Sequence, residues 1–153
     1  MATDNPSIVS HVSLGTRDIS KAVVFYDAVM ATIGASRQEA VNLPDHGLVA
    51  VAYGKQFPEF WIQIPGNEQP AHVGNGIHIG FIAADLDSVH AFYDAALANG
   101  GKDSGPPGPR PHYGEQYYGC FVRDPDGNKI EATFWDASVG SLAHGGAFAA
   151  STD

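Results

Sequence analysis

The chain repeats itself once at a fixed offset, and that repetition constrains its fold more than any other feature. Residues 11–34 read HVSLGTRDISKAVVFYDAVMATIG, residues 78–101 read HIGFIAADLDSVHAFYDAALANGG, and the two align without a gap at an offset of 67. His11 meets His78, Asp18 meets Asp85, and Gly34 meets Gly101. Between them Phe25, Tyr26, Asp27 and Ala28 meet Phe92, Tyr93, Asp94 and Ala95. A shared FYDA alone is weak, but a shared H…D…FYDA…G in one register describes two copies of one module. At 153 residues the chain has room for one ordinary domain, so the copies are expected to share a core.

Each copy predicts the same local structure. HVSLGT and HIGFIA alternate as short strands, each opened by its histidine. Asp18 and Asp85 stand where a helix N-cap belongs, with Ser20 and Asp87 as rival caps. Apolar residues recur at helical spacing over 20–32 and 87–99, and Gly34 and Gly100 to Gly101 close these segments. Strands are expected at about 36–41, 47–54 and 58–64 in copy one, and at about 116–123 and 128–135 in copy two. The Gly/Pro-rich stretch SGPPGPRPHYGEQ delays the later pair, and Asp124 to Asn128 (DPDGN) is a strong hairpin turn between them. The expected fold is α+β: two tandem βαβββ modules, about 7–66 and 75–136, whose curved mixed sheets form a cleft. Together they make one domain over 1–136, with 137–153 as a small-residue-rich tail.

Composition then removes several classes of function. Hydrophobic residues at 44% against 16% charged allow a real core and exclude global disorder. The formal net charge of −9 argues against nucleic acid or an anionic membrane as partner. No apolar run approaches the roughly 20 residues that span a bilayer, and MATDNPSIVS lacks the basic start and apolar stretch of a signal peptide. Cys120 is the single cysteine, so neither an intrachain disulfide nor a cysteine zinc cluster can form. These features predict a soluble, cytoplasmic protein.

Chemistry-bearing residues fall at matching places in the copies. His11 and His78 open equivalent strands, so pseudo-twofold symmetry is expected to aim both imidazoles into a common cleft. Glu131 interrupts the last apolar strand, KIEATF, where a carboxylate is costly to bury unless something compensates its charge. Its counterpart should fall near 131 − 67 = 64, and the polar residue there is Gln63, one position away. Two imidazoles with a carboxylate and an amide suit Zn, Ni, Co, Mn or Fe, and two histidines with one carboxylate also make the facial triad of non-haem iron. Taken singly, each histidine reads more readily as an ordinary strand residue than as a ligand; their repeat-related placement with Glu131 favours ligation.

HVSLGTRDISKAVVFYDAVM, GIHIGFIAADLDSVHAFYDAALANGG and RDPDGNKIEATF resemble the successive signatures of the vicinal oxygen chelate superfamily, the glyoxalase, bleomycin-resistance and extradiol dioxygenase group. The likeness covers roughly residues 8–136, and DPDGNKIE is its most specific piece. It implies a divalent metal held by His11, His78 and Glu131, with a fourth ligand at or near Gln63, and Glu131 doubling as the proton-transfer base. The implied activity is that of a glyoxalase I-type lyase or isomerase on a small oxygenated substrate. An extradiol-type Fe(II) dioxygenase and a non-catalytic ligand-binding protein of bleomycin-resistance type are the alternatives. The chain departs from the glyoxalase I pattern in having a glutamine, not a glutamate, near 63, and no clear basic pair to grip glutathione carboxylates. His112, Tyr113, Tyr117 and Tyr118 follow the proline-stiffened loop, and His112, Tyr113 and Tyr118 are expected to contact substrate. Cys120 reads as a buried inert thiol, and a homodimer is expected.

Overall fold

The computed structural model describes residues 7–139. Copy one forms β1 (Val12–Gly15), α1 (Ile19–Ala31), β2 (Ser36–Leu43), β3 (Gly47–Gly54) and β4 (Phe60–Gln63). Copy two forms β5 (His78–Ile82), α2 (Leu86–Ala98), β6 (Lys102–Pro109), a 3-10 turn (Pro111–Tyr113), β7 (Tyr117–Arg123) and β8 (Lys129–Trp135). Each copy builds one four-stranded sheet, in the orders β1-β4-β3-β2 and β5-β8-β7-β6. The first strand of each sheet runs parallel to the last, and the other pairings are antiparallel. The two βαβββ modules expected from the repeat are therefore present. Of the tail expected from residue 137, residues 140–153 lie outside the described residues.

The helices start where the aspartates dictate. Asp18 accepts from the Lys21 amide at 3.1 Å and Asp85 from the Ser88 amide at 2.7 Å, each satisfying one of the free N–H groups of a first turn. Ser20 and Asp87 lie inside the helices instead. Gly34 (φ 76°) and Gly100 (φ 94°) take the left-handed conformation that ends each helix cheaply only at glycine.

The prolines of the SGPPGP stretch did not suggest a strand, yet this segment is β6. It pairs on one side only, with β7, and its register slips between Asp103 and Gly105 and again between Gly105 and Gly108. Proline has no N–H for a ladder, so an edge strand with bulges is where such a sequence can still pair.

One core serves both modules. Phe25, Tyr26, Val29 and Met30 of α1 and Val89, Phe92 and Ala96 of α2 are buried with Val51, Ile62, Cys120, Val122 and Ile130 from the sheets. Because strand residues alternate, Ile130 and Ala132 of β8 enter this core while Lys129, Glu131, Thr133 and Trp135 share the opposite face of the sheet.

The hairpin turn also ties the modules together. Buried Asp124 accepts from the Tyr26 hydroxyl at 2.8 Å, from Asn128 Nδ2 at 2.9 Å, and from the amides of Asp126 and Asn128 at 3.0 and 2.9 Å. Asn128 Nδ2 also reaches the Gly15 carbonyl at 3.0 Å, and Asp126 accepts from Thr16 Oγ1 at 2.6 Å and the Arg17 amide at 2.8 Å. DPDGN thus turns the chain within copy two and caps the end of β1 in copy one.

Candidate metal centre

His78 and Glu131 are brought together by adjacent parallel strands. Register pairs His78 with Lys129 and Gly80 with Glu131, so the two side chains share the face turned away from the helices. His78 Nε2 lies 3.1 Å from Glu131 Oε2. The other carboxylate oxygen, Oε1, accepts from the Tyr117 hydroxyl and from Thr133 Oγ1, both at 2.6 Å. Glu131 is 8% exposed, so its carboxylate is compensated by those two donors and by the imidazole. Burial, and then the bond to Glu131, hold the Tyr117 phenol above its ordinary range, which keeps it a donor at neutral pH.

This pair fits a divalent ion. Two ligand atoms at about 2.1 Å from one ion and at right angles lie about 3.0 Å apart, close to the observed 3.1 Å. An imidazole nitrogen with a carboxylate oxygen is also a donor set that first-row metals accept. Among the described residues no group of three or more His, Cys, Asp or Glu side chains converges. His11 is exposed just ahead of β1, its Nδ1 3.1 Å from Ser10 Oγ, apart from His78 and Glu131. The common cleft expected from pseudo-symmetry is therefore not assembled by one chain's own histidines.

Register also moves the expected partner of Glu131. Ser13 corresponds to Gly80 at the offset of 67, and Gly80 pairs with Glu131 whereas Ser13 pairs with Trp61. The equivalent of Glu131 is thus Trp61. Gln63 pairs with Gly15, whose counterpart Ile82 pairs with Thr133, so Gln63 corresponds to Thr133. The offset at these last strands is 131 − 61 = 70, three residues more than at the first strands. Gln63 is exposed on the outer face of β4, one pleat beyond the position anticipated for it.

A cavity of about 510 Å³ lies over the His78–Glu131 pair. His112 and Tyr113 of the 3-10 turn, Tyr117, Phe121 and Trp135 form its walls. Their rings lock in sequence: His112 to Tyr113 at 4.2 Å, Tyr113 to Tyr117 at 5.0 Å, and Tyr117 to Trp135 at 5.4 Å between centroids. Of the residues expected to contact substrate, His112 and Tyr113 stand in the cavity wall. Tyr118 does not, because neighbouring strand residues face opposite sides; its hydroxyl meets His90 Nε2 of α2 at 2.7 Å. Tyr117 stands in the wall instead, and Lys129 joins the same face with Nζ 4.5 Å over the Phe121 ring. The four arginines already donate to Ala71 O (Arg17), Asp27 (Arg37), Pro106 and Pro109 O (Arg110) and Gly127 O (Arg123).

Comparison with known proteins agrees with this architecture. Residues 8–132 match the family model of the glyoxalase/bleomycin resistance protein/dioxygenase superfamily. A probable lactoylglutathione lyase of Vibrio cholerae is 30% identical over 123 residues, 80% of this chain and 87% of that protein. One from Synechocystis is also 30% identical, over 79% of this chain and 90% of its own. Among solved structures, a glyoxalase/bleomycin resistance protein from Albidiferax ferrireducens is 38% identical with a TM-score of 0.73, covering 83% of this chain and 98% of that one. A genomically encoded fosfomycin resistance protein from Listeria monocytogenes, 17% identical with a TM-score of 0.59 over 86% of this chain and 95% of its own, shares the fold. A chain built of two such modules, with this hairpin and this match over most of its length, belongs to the glyoxalase/bleomycin resistance protein/dioxygenase superfamily.

Proposed function

We propose that the protein is a metal-dependent enzyme of lyase or isomerase type, and that His78 and Glu131 supply one half of its metal site. The observation that carries this reading is the 3.1 Å contact of His78 Nε2 with Glu131 Oε2 beneath the aromatic cavity. His11, left outside that pair, completes the site from a second copy of the chain, giving a homodimer with His11, His78 and Glu131 around each ion and Gln63 outside the ligand sphere. The bound ion supplies Lewis-acid stabilisation of a negatively charged substrate oxygen. Glu131 turns Oε2 toward the cavity and is the group that takes and returns a proton. Tyr113, Tyr117 and Trp135 surround the rest of the substrate and exclude water from it.

The walls also narrow the substrate. The curated relatives carry the name probable lactoylglutathione lyase, but here Arg17, Arg37 and Arg110 are engaged with the chain's own acceptors, and Arg123 and Lys129 are the cations on the site's face. The aromatic walls of the cavity suit a flat substrate with adjacent oxygens. That same observation, with tryptophan at the position equivalent to Glu131, favours one second reading. Two histidines and one carboxylate form a facial triad, and a ring-cleaving Fe(II) dioxygenase would use it.

The test is metal content and complementation. Wild-type protein should bind about one ion per chain, and His11→Ala and His78→Ala should each lose it. In mixed dimers of those two variants, one of the two sites draws neither altered histidine and should bind again. Independent binding by each variant, or no recovery on mixing, would refute a site shared between copies. Retained iron with oxygen uptake on catechols would select the dioxygenase reading over the isomerase.

A further inference from the structure

Glu131 offers two carboxylate oxygens, and the fold leaves only one of them free. Oε1 receives both the Tyr117 hydroxyl and Thr133 Oγ1 at 2.6 Å, while Oε2 is turned to His78. The two donors come from different strands, β7 and β8, so they approach Oε1 from separate directions. The Tyr117 ring is 3% exposed and braced edge-on by Tyr113 at 5.0 Å and Trp135 at 5.4 Å. To reach Glu131, this ring lies along its own strand across position 119. A Cβ there would stand 2.4 Å from the Tyr117 hydroxyl oxygen, 2.8 Å from its ring and 2.9 Å from the Ala132 carbonyl. Gly119 has no positive φ to explain it, so the demand at 119 is for space. The glycine and the tyrosine belong to one device.

We propose that Tyr117 and Thr133 are positioning residues that fix the rotamer of Glu131, so that a single oxygen, Oε2, is presented beside His78 as a one-oxygen metal ligand. This rests on the metal-site reading above. The two hydrogen bonds occupy the lone pairs of Oε1 that a bidentate carboxylate would turn to the ion. They also remove the rotational freedom the carboxylate would otherwise lose on binding. Groups that orient a ligand through hydrogen bonds typically change metal affinity by about 10–100-fold when removed.

The experiment is a Co²⁺ titration of the full chain, read by visible absorption, with near-UV circular dichroism to verify the fold. Wild type, His78→Ala, Tyr117→Phe and Thr133→Val are compared. Tyr117→Phe keeps the ring and its packing, so it should fold as wild type yet bind Co²⁺ about tenfold or more weakly, with a shifted absorption band from altered coordination. Thr133→Val should act in the same direction, and it carries the test if Tyr117→Phe fails to fold. If wild type binds, His78→Ala does not, and both hydroxyl deletions match wild type in affinity and spectrum, the positioning role is overturned while the metal site stands. If wild type takes up no Co²⁺, or His78→Ala takes it up equally, the metal site and the positioning role fail together.

Discussion

Tyr26→Phe isolates the bond that ties the two modules at their centre. The phenol is fully buried and donates at 2.8 Å to Asp124, itself 3% exposed. Replacing it leaves the ring packing of Tyr26 with Phe25 and Phe60 in place, and the carboxylate keeps its three other donors. The loss is one hydrogen bond to a charged acceptor, about 1.5–3 kcal/mol. In a domain of this size that lowers Tm by about 5–10 °C. The deficit should also depend on pH. Burial raises the Asp124 carboxyl above 3.8, and the bonds from Asn128 and Tyr26 hold that rise down. An acid whose folded pKa exceeds its unfolded one stabilises the fold below the unfolded value and loses that contribution as pH rises through the folded value. Without the Tyr26 hydroxyl the folded value climbs further, so the variant loses more across the same interval. Its deficit should therefore grow from about pH 4 toward neutrality. Urea unfolding of both proteins at several pH values measures this. A deficit below about 0.5 kcal/mol, or one that does not change with pH, would refute the account of Asp124 as a buried, phenol-supported carboxylate.

Two further outcomes follow from the same interior. Burial pushes the Cys120 thiol up to about 11, and its Sγ faces the Val89 carbonyl at 3.6 Å, so the folded protein should react with a thiol reagent at pH 8 far more slowly than the urea-unfolded chain; rapid, stoichiometric labelling of the folded protein would contradict this. Thr16→Val removes the 2.6 Å bond to Asp126 and should lower the urea midpoint by the equivalent of about 1–2 kcal/mol with an unchanged m value; an altered m value would mean the modules no longer unfold together.

Features set by local chemistry were legible in the sequence, and features set by pairing were not. The aspartate caps, the closing glycines and the DPDGN hairpin each depend on a few neighbouring residues, and the structure has them where the sequence reading expected them. Strand β6 escaped because its prolines lower the propensity of any central strand, and only its place at an edge makes it possible. Tyr117 lines the cavity and Tyr118 does not, and the turn dictates this. A hairpin that pairs Arg123 with Lys129 necessarily pairs Phe121 with Glu131 and Tyr117 with Trp135, so odd-numbered residues of β7 share Glu131's face. The signal for Tyr117 was therefore present in the turn itself.

Trp61 holds the register position in copy one that Glu131 holds in copy two, and on the proposed metal site this difference can be tested by putting a carboxylate there. Carrying the offset of 67 to the last strand pointed to Gln63, but the longer second module makes the offset 70 there and selects Trp61. Trp61 is half-buried on the same face of β4 as Gln63, with Phe60 and Ile62 turned to the core. A carboxylate at 61 would stand on the outer face one residue from the strand position paired with Val12, on the side of the sheet that His11 opens. Trp61→Glu should therefore add a fourth ligand and tighten metal binding by about tenfold, the scale on which changes around a ligand sphere act. Gln63→Glu adds the same charge one pleat further along and should leave affinity within about twofold of wild type. Competition against a chelator at fixed ionic strength measures both, and the matched charge cancels any long-range electrostatic gain. Tighter binding in Gln63→Glu but not in Trp61→Glu would show that the strand register does not determine which residue faces the ion.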